Sequence, residues 1–184
     1  MGLVNGLDVD GIGKMMEDVK RDPARARATF KATTFWKSGL HGEAQISDFM
    51  LGGGKLKHLK TFRIEGDHPK ELLGTDAGAT SVELLLAALG HCMAAGWAIY
   101  GAYMGVAIES LRVEVEGDID LQGMLGLPEP GKVRPGYQRI HTTHYVTSRA
   151  PREKLEQVKQ MAEALSPTQD SLRAVDFSSK LVIQ

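Results

Sequence analysis

From Leu84 to Ala107 the chain carries no Asp, Glu, Lys or Arg, so about six turns of helix can run without a charge on any face. The run opens on Thr80 and Glu83, three residues apart. That spacing is a capping box, in which the threonine hydroxyl takes the amide of residue 83 and the glutamate returns to the amide of residue 80. At 100° per residue the helix sorts into stripes. Val82, Leu86, Leu89, Met93, Trp97, Tyr100 and Met104 make a bulky one, suited to lying on a sheet. Ala87, Gly90, Ala94, Ala98, Gly101 and Gly105 make a small one, which invites the close approach of a partner helix from a second subunit. Leu85, Ala88, Cys92, Ile99 and Tyr103 make a third. The spacing predicts a helix buried nearly all round.

The same run is long enough to cross a bilayer. Nearly half of it is Ala or Gly, however, and no cluster of Lys or Arg flanks either end to orient it. We therefore expect burial inside a soluble domain and no membrane association. The 184 residues suit one domain, and 22 basic against 23 acidic residues leave no basic field for nucleic acid. The N-terminus lacks the basic start and continuous apolar run of a secretion signal, which points to the cytoplasm.

Around the central helix the pattern reads as α+β. A short helix from Asp10 to Asp22 places Ile12, Met15, Met16 and Val19 on one face, and Pro23 follows it. A strand over 27–38 turns at Gly39–Gly42 into a second strand, and a third follows the glycines at 52–54. Residues 67–79 form a loop before the central helix. After it come an alternating strand over 108–121, a turn-rich surface loop over 123–136, and a strand over 137–147. A helix starts at Pro151 and runs to Leu165. Ser166, Pro167 and Gln169 then give hydroxyl cap, preset first residue and N3 glutamine for a further short helix, and a strand over 177–183 ends the pattern.

Few residues offer chemistry. His141 and His144 fall on opposite faces of a strand, and no metal-ligand spacing appears, so neither metal nor cofactor is expected. The carboxylates at Glu114, Glu116, Asp118 and Asp120 fit the solvated face of a strand. Cys92 is the single cysteine, which excludes an intrachain disulfide and a cysteine-built zinc site. It is either a small core hydrophobe or a reagent. Cys92 sits about three turns into its helix, beyond the useful reach of the positive end, and apolar neighbours raise a thiol's pKa. A reactive Cys92 thus needs positive potential from another element, and the helix start at Ser166-Pro167 is the best candidate.

The segment GTDAGATSVELLLAALGHCMAAG resembles the central helix of the OsmC-like proteins, as do WKSGLHGEA, GDHPKELLGTD and LSPTQDSL. The resemblance covers most of residues 28–184, with residues 1–27 as an N-terminal helical extension. It implies an intertwined homodimer, with antiparallel sheets around two long central helices and two active sites between subunits. It also implies that Cys92 occupies the position whose thiolate reduces organic hydroperoxides through a sulfenic acid. The chain departs from the pattern at three places. The resolving cysteine is Ser166, which cannot form the disulfide. The thiolate-stabilising arginine falls at Leu40, beside His41. The partner carboxylate falls at Val82, and Glu83 is read as the capping residue instead. Two functions follow. One is a one-cysteine thiol peroxidase using Cys92, supported by Ser166 and His41, with an external thiol as reductant. The other is a dimer without redox chemistry that binds a small apolar ligand, with Leu85, Ile99 and Tyr103 lining the pocket.

Overall fold

A computed structural model of the protein describes residues 2–127, 129, 131–172 and 176–183. In chain order the elements are β1 (Leu3–Val4), β2 (Leu7–Asp8), α1 (Val9–Arg21), β3 (Ala28–Phe30), β4 (Thr33–Ser38), β5 (His41–Leu51) and β6 (Gly54–Gly66). Then follow α2 (Ser81–Tyr103), β7 (Ser110–Asp118), α3 (Leu121–Leu125), β8 (Arg139–Thr147), α4 (Arg152–Ala164), α5 (Pro167–Asp170) and β9 (Asp176–Ile183). Two units divide the chain: Asp10–Leu84, and Met1–Val9 together with Leu85–Gln184.

In the first unit β5 is the hub of a four-stranded antiparallel sheet. β4 pairs with its first half and β3 with its last, while β6 runs along its other edge. The strand expected over 27–38 is therefore two, and the break lies opposite the irregular register at Ile46–Asp48 of β5. Gly52 and Gly53 both hold positive φ, the backbone that a two-residue hairpin turn between twisted strands requires. Helix α1 presents its expected apolar face, and none of its residues is buried. At the end of the unit the loop before α2 is organised by Asp67, which is 2% exposed. Its Oδ2 accepts the Thr75 hydroxyl (2.6 Å) and the amides of Thr75 (3.0 Å) and Ala77 (3.1 Å). Those bonds, led by the Thr75 hydroxyl, hold the carboxyl far below the usual carboxylate range. The capping box then starts α2 as the sequence indicates. Glu83 Oε2 accepts the Thr80 amide at 2.8 Å, and Thr80 Oγ1 accepts the Glu83 amide at 3.3 Å.

In the second unit β7, β8 and β9 form a sheet in that order. β8 pairs antiparallel with β7 and parallel with β9, because α4 and α5 carry the chain back before β9 enters. Strand β8 alternates: Ile140, Thr142, His144 and Val146 are buried, and the residues between them are not. Val146 joins Trp97 of α2 and Leu155, Val158 and Ala162 of α4 in the apolar core, and His144 meets the Trp97 indole. Truncating such a side chain typically costs ~2–5 kcal/mol. The contact between α2 and α4 depends on Gly96, where a Cβ would stand 2.9 Å from that of Ala162.

Within the single chain, α2 meets part of what its stripes suggest. Two residues of the small stripe meet neighbours within the chain, Gly90 at Val115 of β7 and Gly101 at Asn5, Val106 and Ile108, while Ala87 and Gly105 are exposed. One side of the helix is not covered by the chain's own elements. Leu85 (37% exposed), Ile99 (41%) and Tyr103 (57%) lie along an open apolar face. By length and composition α2 could cross a bilayer, but its bulky face is spent on the sheet and α4.

Two small elements fall outside the sequence reading. Asn5 and Gly6, both at positive φ, turn β1 into β2, and the Asn5 side chain spans the C-terminal end of α2. Its Nδ2 donates to the carbonyls of Ala98 (3.3 Å) and Val106 (3.0 Å), and its Oδ1 accepts the Ile108 amide (2.8 Å). Helix α3 interrupts the expected loop, started by Asp120 and stopped by Gly126 at φ 65.

Candidate functional site

Cys92 is partly exposed on α2, and its Sγ lies 3.1 Å from Ser166 Oγ. The serine is put there by the way α4 ends. Leu165 leaves helical geometry, Ser166 takes an extended conformation, and Pro167 sets the first residue of α5. Ser166 Oγ accepts the Gln169 amide at 3.1 Å, as a helix cap does. The hydroxyl hydrogen is left free to point at sulfur, and when Cys92 is ionised Ser166 is the donor of this pair.

Burial alone pushes the Cys92 thiol up, as expected for a sulfur among apolar residues. Three donors oppose it: the Ser166 hydroxyl, the Thr168 hydroxyl and the Thr168 amide. Their combined effect outweighs burial, and the thiol sits below its ordinary value. Tyr100 moves the other way, raised first by burial and then by the negative sulfur nearby. The positive potential that α2 cannot supply to its own third turn thus comes from the start of α5. Thr168 is the site residue that sequence reasoning missed. Its signal was present, since it stands at the second position of the Ser-Pro-x-Gln start, where an amide has no partner within the helix.

The other expected site residues divide clearly. Ser166 meets Cys92 directly. His41 belongs to the unit Asp10–Leu84, where its Nε2 lies 2.8 Å from Glu65 Oε2, and Lys37 Nζ donates to the same carboxylate at 2.9 Å. Leu40 is half exposed at the preceding turn. Glu83 is occupied by Thr80, which holds its carboxyl below the usual range. Leu85, Ile99 and Tyr103 line the open face of α2. Among the described residues no group of three or more His, Cys, Asp or Glu could hold a metal ion.

An α+β chain with a half-open thiol on a central helix, faced by the capped start of a second helix, defines a class, and comparison identifies it. The OsmC-like protein family model matches residues 74–180, and the chain belongs to that family. No curated protein sequence matches the chain. Among solved structures it is similar to an OsmC-like protein from Mycoplasma pneumoniae, with 15% identity and a TM-score of 0.65 over 84% of this chain and 96% of that one. It is also similar to an organic hydroperoxide resistance protein from Legionella pneumophila, with 15% identity and a TM-score of 0.57 over 84% and 96%. A third, an organic hydroperoxide resistance protein from Elizabethkingia anophelis, shares 15% identity with a TM-score of 0.60 over 85% and 96%. At these identities the likeness establishes the fold.

Proposed function

We propose that the protein is a one-cysteine thiol peroxidase that reduces organic hydroperoxides through Cys92. The observation that carries this reading is the set of donors on the sulfur. Ser166 and Thr168 lower the thiol's pKa against its burial, which a purely space-filling cysteine does not need. Two structural neighbours described as organic hydroperoxide resistance proteins give the reading its substrate class.

The ionised sulfur attacks the distal oxygen of the hydroperoxide. A sulfur–oxygen bond forms as the oxygen–oxygen bond breaks, and the alkoxide leaves with the electron pair. The proton given up by the thiol returns to make the alcohol. Cys92 is left as a sulfenic acid. Ser166 has no sulfur to resolve it, so an external small thiol condenses with the sulfenic acid, releasing water and leaving a mixed disulfide. A second thiol displaces Cys92 and carries away the disulfide. Ser166 stays a hydrogen-bond donor throughout.

The protein works as a cytoplasmic homodimer in this reading, with the open face of α2 at Leu85, Ile99 and Tyr103 covered by the second copy. Stopped-flow mixing with an organic hydroperoxide, followed by trapping of the sulfenic acid, tests the chemistry. The wild type reacts and Cys92→Ser falls to the rate of buffer. Equal rates for the two proteins end the proposal, and would leave the apolar-ligand reading in its place.

A further inference from the structure

The two sides of the Cys92–Ser166 contact hang on different elements, α2 and the corner between α4 and α5. A polar cluster that the proposed reaction does not use touches both α2 and the end of α4. His144 of β8 is fully buried and accepts the Trp97 indole N–H at its Nδ1, 2.9 Å away. Indole only donates, so Nδ1 carries no proton and Nε2 carries one. Nε2 is 3.2 Å from Thr142 Oγ1 and 3.6 Å from Glu163 Oε1.

Glu163 is itself tied down. Its Oε1 takes Lys159 Nζ at 2.8 Å and the Ser179 hydroxyl of β9, and its backbone carbonyl accepts the Ser166 amide at 3.2 Å. Trp97 stands on the same helix as Cys92, and Glu163 holds the amide of the residue that meets its sulfur.

Resting on the reading of Cys92 as the working thiol, we propose that His144 is a positioning residue for it. By accepting from Trp97 of α2 and standing 3.6 Å from Glu163 near the end of α4, it spaces the two elements and so sets the distance from Cys92 to Ser166 and thereby the acidity of the sulfur. The bond from Trp97 requires neutral histidine, since a proton on Nδ1 would face the indole N–H. Burial supplies that condition, pushing His144 down to about 4, with Glu163 opposing and Lys159 assisting.

The test is the pH profile of Cys92 alkylation by monobromobimane, which needs no peroxide turnover and therefore separates failure of this inference from failure of the peroxidase reading. His144→Phe removes the acceptor for Trp97 and the polar contact with Glu163. Its midpoint shifts upward, and alkylation at neutral pH slows by about threefold to tenfold, since the rate follows the thiolate fraction. His144→Asn keeps an acceptor for Trp97 and stays near the wild-type profile. Val158→Ala loosens the same core without touching the bridge, and leaves the profile in place. Trp97→Phe cuts the link from the other side and decides the matter if His144→Phe does not fold. A wild-type profile in the folded bridge variants, or a Val158→Ala shift as large as theirs, overturns the proposal.

Discussion

Two acidic groups, the Cys92 thiol and the Asp67 carboxyl, both meet hydroxyl and amide donors from a nearby turn that favour the ionised form, yet they are built for different ends. Asp67 is closed off, and one of its oxygens receives a threonine hydroxyl and two amides that shape the loop before α2. Cys92 receives the same kinds of donor from Ser166 and Thr168 but remains partly open. An enclosed anion can only hold backbone in place. A half-open one keeps a side from which a reagent can arrive. Donor count does not separate structure from chemistry here; access does.

The comparison is most sharply tested at Asp67. Asp67→Ala leaves three donors without their acceptor, and we expect a fall of several degrees in Tm with the Cys92 alkylation profile unmoved. A shifted alkylation profile would mean that the two anions are not independent. The next test is pH. Asp67 has a depressed pKa in the folded state, so its stabilising contribution is complete above the ordinary carboxylate value of ~3.9 and is lost as the pH falls below it. Cys92, by contrast, gains thiolate and reactivity as the pH rises toward the usual thiol range, its own pKa lying below that range's ordinary value. Denaturation and alkylation followed over the same pH series should therefore respond in separate windows. A common midpoint would break the distinction.

At the sulfur itself, Ser166→Ala removes one donor to Cys92 and the cap of α5. Neutral-pH alkylation should slow by about tenfold, the weight of one hydrogen bond to a charged group. Stability should fall by about 1 kcal/mol, the usual value of a lost cap. Thr168→Val deletes a hydroxyl and keeps the amide, so the smallest effect is expected there, about twofold to threefold on alkylation with little change in Tm. If Thr168→Val were the more damaging of the two, the roles assigned to these donors would be reversed.

What was legible in the sequence follows from the range of each interaction. The Thr80–Glu83 and Ser166–Gln169 caps are written within four residues, and both stand as read. The alternation that put His141 and His144 on opposite faces of a strand is equally local, and His144 is the one that turns inward. Its bond to Trp97 joins positions far apart in the chain, and no spacing rule announces it. The same limit explains the small stripe of α2. Periodicity sorts side chains into faces but does not say which neighbour meets each position, and β7 and Asn5 meet the stripe at Gly90 and Gly101. Cys92 shows the mixed case. Its burial was readable, and so was the helix start at Ser166, but the 3.1 Å separation that lets one offset the other is a product of the folded chain.

The Asn5 clamp bears on how this protein can be handled. Three bonds from a single amide side chain staple the opening hairpin to the far end of the cysteine-bearing helix and to the entry of β7. Shortening the polypeptide to residue 10, as a tidy-minded expression scheme would do, therefore unfastens the end of α2 and strips carbonyls of their donors. Damage made there would travel along the rod that carries the sulfur, although the amputated piece never comes near it in sequence.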